Sequence, residues 1–299
     1  MRLPIILIAG WGFSSKAMLG LKEALPGYSI EITSTTELGR TQATDASPRA
    51  PGLSRYALAL GDLLRRYAGG AGVIGWSMGG IVALETAQKY PELIERLVII
   101  GGTARFCALN NKFPGVSPAA LRAMAFGLRR TPEKVLSDYE ARVHAPQAVP
   151  VPRNHELTQQ AREANGPLRG GRVRVGTAPR AVRLRDAAKR RYGATTVRGA
   201  FGERALPIVH IETEGLPCEE LLHGLNYLQR IDLTEGLDRL NVPTLVVHGN
   251  QDGIVPWQAG EWLSRQLARG QWRGYEGFGH ALPMQVADIL AADIRAFLA

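Results

Sequence analysis

The sequence predicts an α/β protein, with a mostly parallel sheet, helices on both faces and a mostly helical insertion. Three observations carry that reading. Short continuous apolar runs alternate with stretches of helical period, the pattern of strands buried on both faces. The alternation stops after Gly102 and resumes at Thr244. At Gly75-Trp76-Ser77-Met78-Gly79 a strand runs straight into a helix through a serine flanked by glycines two positions either side.

In chain order, residues 3–8 are short, apolar and ended by Gly10, which reads as a buried strand. Residues 14–25 suit a helix and 28–33 a second strand. The Thr-, Gly-, Pro- and Ser-rich stretch 35–52 reads as loop. Apolar residues at 57, 58, 60, 63 and 64 make 54–67 an amphipathic helix. A strand at 72–75 precedes the serine turn, and a helix over 79–89 is stopped by Tyr90-Pro91. Residues 97–100 form another buried strand. Helical stretches at 118–128 and 133–143 then open the insertion. After it come a strand at 244–248, a mostly helical 255–267, a strand at 271–275 and a last helix over 284–298. The expected organisation is a core of 1–103 and 236–299, with 104–235 as the insertion. No internal repeat stands out.

Composition narrows the function classes. The chain has 299 residues, 45% of them hydrophobic and 21% charged, enough to bury a sizeable core. With 34 Gly and 18 Pro, collagen-like or wholly disordered chains are excluded. Cys107 and Cys218 stand far apart outside any CxxC, so neither a disulfide scaffold nor a zinc site is indicated. The first apolar run, 3–9, is too short for a transmembrane helix or an ordinary signal segment, so a cytoplasmic protein that enters no membrane is expected.

The formal net charge of +9 is local. Residues 153–204 hold 13 basic and 4 acidic side chains, leaving 23 of each in the rest of the chain. This Gly-, Ala- and Arg-rich segment, densest at about 160–205, reads as a flexible solvated insertion or a surface for an acidic partner. It has no aromatic stacking pattern and matches no nucleic-acid module, so nucleic acid is not the expected partner.

The chemistry centres on Ser77. A nucleophile on a sharp strand-to-helix turn crowds its own backbone, and Gly75 and Gly79 relieve that crowding. The hydroxyl then projects at a helix N-terminus, where free N–H groups favour developing negative charge. A serine needs a base, and an acid to orient the base, in the chain order Ser, Asp, His. Asp252 stands in the loop after the 244–248 strand and His280 in the loop after the next, so all three lie at C-terminal strand ends. The backbone N–H groups of Met78 and of Trp11, in the Gly10-Trp11-Gly12 turn, are the candidate oxyanion donors. Phe106, Met124, Phe126 and Tyr139 are candidates to line an acyl pocket. The GxGxxG at 70–75 runs through a strand instead of following one, which argues against a dinucleotide. His144, His155, His210, His223 and His248 lack metal-ligand spacing and read as surface or core histidines. No metal or organic cofactor is expected.

These residues resemble the α/β-hydrolase superfamily. The stretches IAGWGFSS, IGWSMGG with YPELIERLVIIGG, RFCALNNKFPGVSPAAL, LLHGLNYLQRIDLTEGLDRLNVPTLVVHGNQDGIVP and GFGHALP resemble one branch of it. That branch is the carboxylesterases that cleave the methyl ester of pimeloyl-acyl carrier protein in biotin biosynthesis. The resemblance implies an α/β-hydrolase fold with the insertion as a cap, and acyl carrier protein as the acidic partner met by basic cap residues. Arg129, Arg130, Lys134, Arg142, Arg153 and Arg162 stand in the corresponding region. The sequence departs from the pattern at Ala9, where the superfamily often has His, at 33–40 (TSTTELGR), and at Asp138, where a cap arginine is expected. Three other readings share the residues or the charge. They are a general short-chain carboxylesterase, an acyltransferase of the same fold, and a non-enzymatic protein holding an acidic partner.

Overall fold

The computed structural model describes residues 2–41, 52–108, 113–144 and 218–299. Within them six strands pair in parallel: β1 (Ile5–Ala9), β2 (Ile30–Ser34), β3 (Ala71–Trp76), β4 (Ile94–Ile100), β5 (Thr244–Gly249) and β6 (Gly270–Tyr275). Their order in the sheet is β2-β1-β3-β4-β5-β6. Every residue of β1, β3 and β5 is buried, as the unbroken apolar runs predict for inner parallel strands. The edge strands β2 and β6 are only partly covered. β4 begins at Ile94, three residues ahead of the expected 97, because Ile94 is itself buried in the core.

The helices are α1 (Leu19–Glu23), α2 (Thr35–Arg40), α3 (Arg55–Leu64) and α4 (Met78–Lys89) before the insertion, with α8 (Trp257–Gln266), α9 (Leu282–Gln285) and α10 (Ala287–Leu298) after it. The chain steps from β1 to β2 in one direction and from β3 to β6 in the other. Right-handed crossovers therefore put helices on both faces, with α1 packed on α10 and α3 on α4. The direction reverses between β1 and β3. Sheets of this kind bind ligands at such a point, at the C-terminal strand ends.

The expected loop at 35–52 is corrected at its start, because residues 35–40 form α2. Ser34 caps this helix by accepting from the Glu37 N–H at 3.1 Å, while Glu37 Oε2 accepts from the Ser34 N–H at 2.8 Å. This Ser-x-x-Glu capping box outweighs the low helix propensity of Thr35 and Thr36. Of that stretch, residues 42–51 lie outside the described residues.

The insertion leaves β4 and returns before β5. Its two ends are tied together by Leu233 N–H donating to the Ala104 carbonyl at 2.9 Å and by an Arg105–Asp232 ion pair. Its described helices are α5 (Pro118–Leu128), α6 (Pro132–His144) and α7 (Cys218–Arg230). α5 packs on α6 and α7, and α7 packs on α2 of the core. The Arg-rich segment, including Arg153 and Arg162, lies outside the described residues.

Candidate active site

β3 ends at Trp76 and α4 begins at Met78, so Ser77 alone makes the turn between them. Its backbone sits at φ 57° and ψ −124°, and no other non-glycine among the described residues has a positive φ. Such a conformation costs roughly 1–3 kcal/mol and persists only where its surroundings impose it. Here the Ser77 N–H donates to the Ile100 carbonyl at 2.8 Å. The glycines on either side are dictated by contact. A Cβ on Gly75 would lie 2.4 Å from the Gly79 carbonyl oxygen, and one on Gly79 would lie 2.5 Å from that of Ile8.

His280, in the loop after β6, has Nε2 2.9 Å from Ser77 Oγ and Nδ1 2.6 Å from Asp252 Oδ2. The Nδ1–H donates to the carboxylate, which leaves Nε2 as the acceptor for the serine proton. Ser77 is 4% exposed, Asp252 6% and His280 0%, so the chain of hydrogen bonds is shielded from water. Trp76 Nε1–H donates to the His280 carbonyl at 2.9 Å, fixing the histidine from the residue next to Ser77.

Asp252 is held on all sides. Its Oδ1 accepts from the N–H groups of Ile254 at 2.8 Å and Val255 at 2.9 Å. Its Oδ2 takes His280 and lies 3.0 Å from Nε2 of His248. Burial by itself raises the Asp252 carboxyl, but the two imidazoles outweigh it and hold the group well below the ordinary carboxylate range. The loops after β5 and β6 are laced together. Asn250 N–H donates to the Tyr275 carbonyl at 3.0 Å, Gln251 N–H to that of Phe278 at 2.9 Å, and Gly277 N–H to Asn250 Oδ1 at 2.7 Å.

The two oxyanion candidates flank the serine at the switch point. Met78 is the first residue of α4, so its N–H has no acceptor within the helix. The turn after β1 runs close beside Ser77, where a Cβ on Gly10 would lie 2.8 Å from Ser77 Cβ. The Trp11 side chain is buried and donates from Nε1 to the Leu221 carbonyl of α7 at 2.9 Å, joining this turn to the cap.

Of the apolar candidates, Tyr139 on α6 reaches the site. Its ring meets Trp11 edge-on at 5.0 Å between centroids and lies 6.3 Å from that of Phe13, with its hydroxyl facing Ser77 and Asp252. Burial, reinforced by the Asp252 charge, pushes the phenol far above its ordinary range, so it stays protonated and able to donate. Phe106 is buried near the start of the cap, where its carbonyl accepts from the Val116 N–H at 2.9 Å, and Met124 packs partly buried against the core. Phe126 is a correction to the acyl-pocket expectation. It is 58% exposed, with the Arg130 guanidinium 4.8 Å above its ring, because it lies on the outer face of α5.

The basic cap residues separate by what they touch. Arg129 and Arg130 are exposed just past the C-terminus of α5. Lys134 is ion-paired with Asp138 one turn on, at 2.9 Å. Arg142 donates to the Gly253 carbonyl at 3.1 Å, tying α6 to the loop that carries Asp252. Sequence reasoning passed over Trp76 and took His248 for a surface or core residue. The signal for His248 was its place four residues before Asp252 at a strand end.

Comparison with known proteins follows the same lines. The family described as alpha/beta hydrolase fold matches residues 68–285. The pimeloyl-[acyl-carrier protein] methyl ester esterase of Aromatoleum aromaticum is 26% identical over 281 residues, covering 94% of this chain and 92% of that protein. The esterase of the same name from Vibrio campbellii is 23% identical, covering 99% and 94%. Among solved structures, a thermophilic esterase from Thermogutta terrifontis superposes with a TM-score of 0.63 at 21% identity, covering 100% of this chain and 90% of that one. MenH from S. aureus superposes with a TM-score of 0.62 at 16% identity, covering 100% and 94%.

Proposed function

This chain belongs to the alpha/beta hydrolase fold family, and from that premise we propose that it hydrolyses the methyl ester of a pimeloyl chain carried on acyl carrier protein. It is a carboxylic ester hydrolase. The observation that carries the chemistry is the buried line from Ser77 Oγ through His280 to Asp252, with spacings of 2.9 and 2.6 Å.

In the proposed reaction Ser77 attacks the ester carbonyl as His280 Nε2 takes its proton. Asp252 orients the imidazole and stabilises it once charged. The tetrahedral oxyanion is held by the N–H groups of Met78 and Trp11, a pair of donors of which each is worth on the order of 10²–10³ in turnover. His280 returns the proton to the leaving methanol. Water, activated by the same imidazole, then releases the carboxylate from Ser77. The Tyr139 hydroxyl, beside Ser77 Oγ, donates to the ester as it enters.

Support for the carrier-bound substrate comes from the names of relatives that cover 94% and 99% of this chain, and from the basic cap. Arg129 and Arg130, with Lys134 beside them, form the docking face for the acidic carrier. Arg153 and Arg162 lie outside the described residues. The test compares pimeloyl-carrier-protein methyl ester with a short p-nitrophenyl ester, using wild type and Ser77→Ala. A marked preference for the carrier-bound ester, abolished in the variant, is expected. Hydrolysis of the short ester alone would make the protein a general carboxylesterase instead.

A further inference from the structure

We infer that His248 is a positioning residue for this esterase: its Nε2–H donates to Asp252 Oδ2, the same oxygen that receives the Nδ1–H of His280. The inference rests on the reading of Ser77, His280 and Asp252 as the catalytic set.

His248 is the second-last residue of β5 and is completely buried. Its Nε2 lies 3.0 Å from Asp252 Oδ2 and 3.1 Å from the Val255 carbonyl oxygen. Both neighbours only accept, so Nε2 carries the hydrogen. The opposite nitrogen faces α8, where a Cβ on Gly260 would lie 2.4 Å from Nδ1, and it has no hydrogen-bond partner among the described residues. The Trp272 ring lies nearby, 6.2 Å away between centroids. A proton on Nδ1 would have nothing to accept it, and this selects the neutral Nε2–H tautomer.

An imidazole with one unsatisfied nitrogen is a poor choice for a purely structural core position, because an apolar side chain would fill the space without that cost. The compensating gain lies at Nε2. With His248 in place, Asp252 receives two backbone N–H groups on Oδ1 and two imidazole N–H groups on Oδ2. The carboxylate can then neither rotate away from His280 nor hold a proton of its own. The second donor also draws charge from Oδ2, and so limits how tightly the His280 imidazolium is held once formed. The Tyr139 phenol feels the Asp252 charge, and Arg142 donates to the carbonyl of Gly253 next to Asp252.

The test uses p-nitrophenyl acetate with wild type, Ser77→Ala, His248→Phe and His248→Gln. In His248→Phe, kcat should fall by about 10- to 100-fold, by analogy with the loss of a partner that orients a metal-ligating histidine, with KM unchanged. Its acid limb of kcat/KM should move to higher pH, because Oδ2 then faces His280 alone. His248→Gln, which retains an N–H donor, should recover most of both. If Ser77→Ala keeps wild-type activity, the serine-esterase reading falls and this inference with it. If Ser77→Ala is inactive while His248→Phe keeps the wild-type kcat and pH profile, the positioning role alone is overturned. Should His248→Phe fail to fold, ¹⁵N NMR of the wild type decides. An Nε2–H tautomer of His248 whose proton resonance shifts in Asp252→Asn supports the role, and an Nδ1–H tautomer overturns it.

Discussion

Ser77 keeps its strained backbone because the residues around it leave no alternative path. Gly75 and Gly79 touch backbone atoms that cannot retreat, unlike the ends of flexible side chains. Gly79→Ala should therefore destabilise by at least the roughly 1–3 kcal/mol typical of overpacking, seen as a lower midpoint in urea. It should also lower turnover by displacing Ser77. Asp252 makes a pH-dependent contribution. Its native carboxyl lies below the unfolded value of about 3.9, so the stability it supplies is complete above that value. That stability is lost as pH falls through the lower native value. The stability difference between wild type and Asp252→Asn should thus stay constant near neutrality and shrink in acid, as urea titrations at several pH values would show.

At the scale of elements, the cap is fixed to the core by polar contacts as well as packing. Glu85 of α4 is buried, and its carboxylate accepts from the Ser54 N–H at 2.8 Å, the Ser54 hydroxyl at 2.6 Å and the Tyr227 hydroxyl of α7 at 2.9 Å. Burial, then the Glu85 charge, pushes the Tyr227 phenol well above its ordinary range, so it remains a donor. Glu85→Ala should cost about 1–3 kcal/mol for each donor left buried and unpaired. It should also loosen α7, detectable as faster amide exchange along 218–230. Most elements were legible from apolar periodicity. α2 was not, because its Thr and Gly content masked a capping box that takes effect only through reciprocal side-chain bonds. The division of the cap arginines was equally hidden, since Arg142 finds its acceptor 111 residues away.

At the scale of the molecule, the charge is lopsided, with the whole excess of +9 inside 153–204. The proposed docking of an acidic carrier on a basic cap predicts a KM for the carrier-bound ester that rises with salt, because exposed charges are screened within about 10 Å at 0.1 M. Deleting residues 172–204 should raise that KM and flatten its salt dependence, while leaving p-nitrophenyl acetate hydrolysis unchanged. Equal loss on both esters would mean that the deletion harmed the fold. Among the described residues no helix is long and apolar enough to cross a membrane.

By itself the sequence determined the parallel sheet, the turn that carries Ser77 and the order in which Asp252 and His280 follow it. Those features are local, resting on runs of apolar residues, on glycines spaced about a serine and on loops that must leave a parallel sheet from one edge. Only the tertiary structure decided which side chains meet. Ser77 and His280 are 203 residues apart, Trp11 and Leu221 are 210 apart, and Tyr139 of α6 meets Trp11 in the turn after β1. His248 differs from a core histidine only because Asp252 lies at one nitrogen and Gly260 at the other. Side-chain contacts at such separations depend on the packing of whole elements, which local patterning does not encode.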